Sequence, residues 1–295
     1  MRTVWQTLTA SNVRMFRYLA GFSLVLGGAL ILLAQASSLV PESIEPQIWR
    51  AFRAGMLCAL GTALGALPVL FIRNVSTRMS DVLLGFGGGI MLAATVFSLL
   101  IPALHVAGEQ GYGVWGAAVL ASMGLLIGAC ALLGVGYLLP RVQGAPGQGG
   151  GARITLFVVA IVAHNIPEGM AVGVAAGAGL EGADSLALGI ALQDVPEGLI
   201  VALLLAGVGM SRRKALLIGA ASGLVEPVFA VLCAWLVGVS VQLLPWGLAL
   251  AAGAMLFAVA HEIIPESHRN GHSTEASLAL AVGFCLMMVL DTALV

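Results

Sequence analysis

The chain has 295 residues, 60% hydrophobic and only 9% charged, with a mean hydropathy of +1.04. These values exclude an ordinary soluble domain and describe an integral membrane protein with several helices. The formal net charge of −1 leaves no basic excess of the kind that attracts nucleic acid.

Nine apolar spans are predicted, each of about 20 residues or more, enough to cross the hydrocarbon core. They run over 18–37, 54–73, 82–104, 113–139, 154–180, 185–206, 215–239, 246–264 and 276–294. The breaks between them carry turn residues, such as Val40-Pro41-Glu42, Gly111-Tyr112-Gly113 and Gly182-Ala183-Asp184. A longer break, 140–152, contains Gly144-Ala145-Pro146-Gly147-Gln148-Gly149-Gly150-Gly151 and reads as a flexible loop inside one transmembrane domain, 1–295. The first apolar run is too long for a cleaved signal segment and reads as a span. Cys58, Cys130, Cys233 and Cys285 sit in apolar runs without C-x-x-C spacing and read as small buried apolar residues.

Lys and Arg set the orientation. With the N-terminus inside, eleven of the thirteen basic residues fall in inner segments, and only Arg50 and Arg53 fall outside. The expected location is therefore the cell inner (plasma) membrane, with a cytoplasmic N-terminus and an outer C-terminus.

Two phrases stand out in the fifth and sixth spans. One is His164-Asn165-Ile166-Pro167-Glu168-Gly169, the other Gln193-Asp194-Val195-Pro196-Glu197-Gly198. Their grammar is shared: two polar residues, an apolar one, then Pro-Glu-Gly. His164 and Glu168 are four apart and share a helix face, as do Gln193 and Glu197. Asn165 and Asp194 lie one step round. Each Pro removes a backbone donor and should kink its helix. His164 lies about 15 Å into its span, Gln193 about 12 Å into the next, and Glu226 about 17 Å into the seventh. All three approach the membrane midplane.

The spans hold Glu168, Asp194, Glu197, Glu226, Glu262 and Asp291, and no deep Lys or Arg. Each acid at a helix centre costs about 2.5–3.5 kcal/mol. A structural ion pair would need basic partners that the spans lack, which leaves protonation or a bound cation. One imidazole, two amides and four carboxylates suit divalent first-row metals better than calcium, magnesium or copper(I). Four carboxylates exceed the charge of one such ion and leave room for two, bridged by Glu168 and Glu197. The repeated phrase on antiparallel neighbours points to an inverted repeat with its ion site at the symmetry axis.

With Ser222-Gly223-Leu224-Val225-Glu226-Pro227 downstream, the two phrases resemble the ZIP (Zrt-, Irt-like protein) family of divalent-metal transporters, its bacterial members in particular. The resemblance takes in Gly89-Ile90-Met91-Leu92-Ala93-Ala94, Phe97-Ser98 and the run from His261 to His272. It implies an all-α integral membrane fold of about nine transmembrane helices: an eight-helix 3+2+3 inverted-repeat core plus one extra N-terminal helix. It also implies a binuclear centre. One site would use Met91, His164, Glu168, Gln193 and Glu197; the other Asn165, Glu168, Asp194, Glu197 and Glu226. Ser98, His105, His261, Glu262, His268 and His272 are expected along the transport pathway. His268 and His272 read equally well as solvated loop residues. Many relatives carry a His-rich loop where this chain has its glycine-rich one, so a metal-sensing role for that loop is not expected.

The expected function is uptake of zinc, or of cadmium, iron or manganese, by alternating access. Small residues such as Gly85, Gly87, Gly88 and Gly89, or Gly219 and Gly223, would serve either sliding contacts or static close packing. The metal is the substrate and no organic cofactor is expected. The partners are the bilayer and divalent ions; a homodimer is compatible with the sequence. Two rivals use the same residues. An intramembrane metal-dependent hydrolase would need a general base and lacks H-E-x-x-H, since His261-Glu262 is followed by Ile263-Ile264-Pro265. A proton- or sodium-coupled carrier would have no use for His164 and the paired amides.

Overall fold

The computed structural model describes residues 46–72, 75–138 and 150–294. The predicted first span, 18–37, and residues 140–149 of the glycine-rich loop lie outside the described residues.

All regular structure among the described residues is helical. Helix α1, Pro46–Ala66, continues into a 3₁₀ turn at Leu67–Leu70. It begins eight residues before the predicted 54, because Pro46 suits a first helical position and Trp49 stacks on Phe52 at 5.3 Å. Helix α2, Thr77–Ala94, is capped by Ser76, whose hydroxyl accepts from the Met79 N–H at 3.2 Å. A π-helical turn, Thr95–Leu100, leads into α3, Ile101–Ala107. The chain then reverses at Gly111, where φ is 88°, a conformation that glycine adopts without strain. Next come α4, Gly113–Leu138, α5, Gly150–Ala178, and α6, Ala183–Gly207. Residues 150–152, expected in the loop, are helical: once a helix is nucleated, each added residue gains a backbone hydrogen bond.

The seventh span is not continuous. It divides into α7, Arg212–Ser222, and α8, Val225–Val239. The cause is Pro227, which lacks an N–H for the carbonyl four residues back, Gly223. Glu226 therefore sits in the first turn of a new helix, where unpaired N–H groups favour an anion. Helix α9, Leu244–Ala258, passes through a second π-helical turn, Val259–Ile263, into α10, Ile264–His268, and α11 spans Ser273–Ala293. Six described stretches are long and apolar enough to cross a membrane, and one of them, Thr77–Tyr137, is two rods folded at Gly111.

The rods pack in two sets. One contains α1, α5, α6 and α7–α8; the other α2–α3, α4, α9–α10 and α11. Contacts of α2 with α6 and of α9 with α5 join them. The main pairings survive an exchange of α1 with α8, α2 with α9, α4 with α11 and α5 with α6. Under it α2–α11 becomes α9–α4, α1–α6 becomes α8–α5, and α2–α6 becomes α9–α5. The sequence carries the same exchange. Ile101-Pro102-Ala103-Leu104-His105 and Ile264-Pro265-Glu266-Ser267-His268 each follow a π-helical turn.

Helix α1 lies against α6 at backbone distance. A Cβ on Gly61 would overlap the Ala191 carbonyl, one on Gly65 the Val195 carbonyl, and one on Gly198 the Thr62 carbonyl. Gly169, Gly173 and Gly177 admit α8 to α5 in the same way. In α2, Gly85 and Gly89 pack closely on Ala276 and Leu280 within one set. Gly87 faces Gln193 of the other set.

Candidate metal centre

Helices α5 and α6 run on through Pro167 and Pro196 without ending. The phrases thus remain helical, and their four-residue spacing holds in space. Glu168 and Glu226 have no exposed surface, and Asn165, Asp194 and Gln193 are 1–2% exposed. His164 is largely buried, with 12% of its side chain exposed.

The polar groups form two adjoining clusters. In the first, ligand atoms of His164, Glu168 and Glu197 all lie within 4.8 Å of one another. In the second, the same holds for Asp194, Glu226 and Cys58. Asn165 belongs beside the second, because its Nδ2 donates to Glu226 Oε1 at 3.2 Å. Thr62 of α1 donates its hydroxyl to the same oxygen, also at 3.2 Å. The Gln193 amide spans the gap between the clusters. Its Nε2 donates to Glu168 Oε1 at 2.5 Å and to Asp194 Oδ1 at 2.6 Å. Its Oε1 lies on the Gly87 side.

These bonds leave Asn165 Oδ1, Glu168 Oε2, Asp194 Oδ2 and Glu226 Oε2 buried and without a partner among the described residues. No described Lys or Arg pairs with any of these acids. A buried, unpartnered carboxylate oxygen is costly, and carboxylates grouped within a few ångströms are stabilised together by a multivalent cation. The arrangement has the donor set for such an ion.

A cavity of about 240 Å³ leads away from the first cluster. Its lining includes His164, Gln193, Glu197, Glu262 and Glu266. The Glu262 and Glu266 side chains are 53% and 47% exposed, so the cavity meets solvent beside them. Glu262 Oε2 lies 3.3 Å from His164 Nδ1, which extends the first cluster into the cavity.

The remaining predicted residues are dispersed. Met91 is fully buried in the main apolar core, one turn beyond Gly87. Ser98 donates to Asp291 Oδ1 at 2.6 Å. His105 pairs with Glu109 at 3.6 Å on an exposed turn. His261 is exposed and stacks on Phe257 at 4.8 Å. His268 is held by the Ile264 carbonyl at 2.7 Å and the Ser277 hydroxyl at 3.0 Å. His272 Nδ1 lies 2.9 Å from Oδ2 of the buried Asp81, which also accepts from Asn270 at 2.8 Å. Both loop histidines thus brace the turn between α10 and α11. Sequence reasoning missed Cys58 and Thr62. The signal was their four-residue spacing within a glycine-rich helix that must approach its neighbours closely.

Comparison with known proteins decides the family. The family model described as ZIP Zinc transporter matches residues 142–291. The chain is 42% identical over 279 residues to zinc transporter ZIPB of Bordetella bronchiseptica, across 91% of this chain and 89% of that protein. The chain belongs to the ZIP family. Zinc transporter GufA of Myxococcus xanthus is 42% identical over 251 residues, covering 82% of this chain and 97% of its own length. Human zinc transporter ZIP11 is 31% identical over 321 residues, covering 79% and 94%. Membership makes this ZIP protein a multi-pass membrane transporter and removes the hydrolase reading.

Proposed function

We propose that this ZIP protein carries a divalent transition metal, zinc foremost, towards the cytoplasm by alternating access through a binuclear midplane centre. The observation that carries the reading is the pair of close clusters, His164/Glu168/Glu197 and Asp194/Glu226/Cys58, whose carboxylates include buried, unpartnered oxygens. The first ion is held by His164, Glu168, Gln193 and Glu197, with Met91 approaching from α2. The second is held by Asn165, Asp194 and Glu226, with Glu168 and Glu197 bridging. Gln193 must release its amide hydrogens from Glu168 and Asp194 and turn its oxygen to the ion. The named relatives are zinc transporters, which supports zinc as the substrate.

The fold that serves this transport is an eight-helix inverted-repeat core with one further helix before it. The pairings that survive exchange of the halves support the repeat. Except for Met91, the ligands lie on one helix set, so that set moves against the other and carries the metal with it. The cavity is lined by Glu266, which pairs with Arg269, so we place its open side on the arginine-bearing face. That face is cytoplasmic in this reading, and the described state is open inward. Liposomes containing the protein should accumulate zinc or cadmium above empty liposomes. Absence of flux under any imposed gradient would sink the proposal.

Proton competition gives a second test. Ligation needs deprotonated carboxylates and a neutral imidazole. Affinity for zinc should therefore fall as pH is lowered from about 7.5 to about 5.5, across the ordinary His value of about 6.5. The slope should be about tenfold per pH unit for each proton displaced. Calorimetry in buffers of different ionisation enthalpy measures both affinity and proton release; a flat affinity would contradict the ligand set.

A further inference from the structure

The second cluster contains a group that the two phrases do not supply. Cys58 of α1 has no exposed surface, and its Sγ lies within 4.8 Å of carboxylate oxygens of both Asp194 and Glu226. Its thiol hydrogen donates to the Ala187 carbonyl at 3.6 Å, which leaves the sulfur lone pairs free for other neighbours. Cys58 and Thr62 are four apart on one face of α1, and Thr62 already bonds Glu226. This face can reach the centre because Gly61 and Gly65 let α1 touch the α6 backbone.

Independent of the cysteine, the residues grouped there carry buried, unpartnered acceptors: Asp194 Oδ2, Glu226 Oε2 and, on the Asn165 side chain bonded to Glu226, Oδ1. The single thiol hydrogen is committed to Ala187 and satisfies none of them. An ion bound at about 2.0–2.3 Å from each ligand atom holds those atoms within about 4.6 Å of one another. The spacing of Cys58, Asp194 and Glu226 needs little adjustment to meet that limit.

We propose that Cys58 is a ligand of the second metal position, completing a set with Asn165, Asp194 and Glu226. The proposal rests on the metal-transport reading and adds a determinant of selectivity to it. The arriving ion displaces the thiol proton to solvent, and the ligand is the thiolate. A thiolate favours ions that accept sulfur, so this position prefers cadmium and zinc over manganese and magnesium.

The test uses the full chain with Cys130→Ala, Cys233→Ala and Cys285→Ala, so that Cys58 is the sole thiol. Cadmium alone is titrated in, with calorimetry for binding and ultraviolet absorption for the cadmium–thiolate charge-transfer band. The band should appear on binding, persist with His164→Ala and vanish with Asp194→Ala. Adding Cys58→Ser should abolish the band, keep the first ion, and weaken cadmium at the second position by about tenfold or more. Manganese affinity should change less. Cadmium binding without a band overturns the cysteine ligand and leaves the transport reading intact; no cadmium binding at all overturns both. The parent protein gives the decisive band, so the result stands even where Cys58→Ser fails to fold.

Discussion

Glu168→Ala is expected to strip both metal positions, whereas His164→Ala strips only one. Glu168 shares the first cluster with His164 and Glu197, and its Oε1 is joined through the Gln193 amide to Asp194 of the second. Its second oxygen is buried and unpartnered. Removing this carboxylate takes away a ligand and a negative charge felt by both ions. His164 belongs to the first cluster and pairs with Glu262. Loss of an outer-shell partner alone costs about 10–100-fold in metal affinity, so loss of these ligands should cost at least about 100-fold. Transport should fall to background in both variants, and Asp194→Ala should reduce it or alter metal preference. Metal content per protein by mass spectrometry separates them. Equal metal loss from His164→Ala and Glu168→Ala would refute the bridging role.

Gly65→Val should prevent assembly of the centre altogether. The first atom of the new side chain would meet the Val195 carbonyl, two residues before Glu197. A backbone carbonyl cannot rotate aside as a side chain can. The cost should reach or exceed about 3 kcal/mol, the top of the usual range for overpacked cores. Thermal unfolding in detergent should show a large drop in stability, with loss of bound metal. Gly134→Val on α4, where an added Cβ meets nothing within 4 Å, is the control and should leave both unchanged. A Gly65→Val protein as stable as its parent would show that α1 and α6 do not require this approach.

Much of the centre was legible in the sequence because the helical repeat is rigid arithmetic. His164 with Glu168, and Asn165 one step round, are fixed by the rise and turn of α5 alone, and the two clusters divide along that line. Glu226 was legible through its burial in an apolar run. The break beside it was not, since a proline inside a span may be accommodated or may end a helix, and neighbours decide which. Here Gly223 and Pro227 together end it. Contacts between distant helices were the least legible. Nothing local to Cys58 says that it faces Asp194, 136 positions later; that contact comes from backbone packing of α1 on α6. The link from Glu262 to His164 is of the same kind.

The Gln193 amide has a consequence for the whole cycle. A carrier must make its return stroke unloaded, and bare carboxylates in hydrocarbon would resist that step more strongly than the loaded one. Gln193 places its hydrogens on Glu168 and Asp194, while Asn165 and Thr62 place theirs on Glu226. The pocket thus brings its own stand-in for cargo. In the proposed alternating-access cycle, unloading would hand one oxygen of each of these carboxylates back to amide and hydroxyl groups on the same protein, which would lower the barrier to the empty stroke, and arriving metal would have to displace these groups before being held.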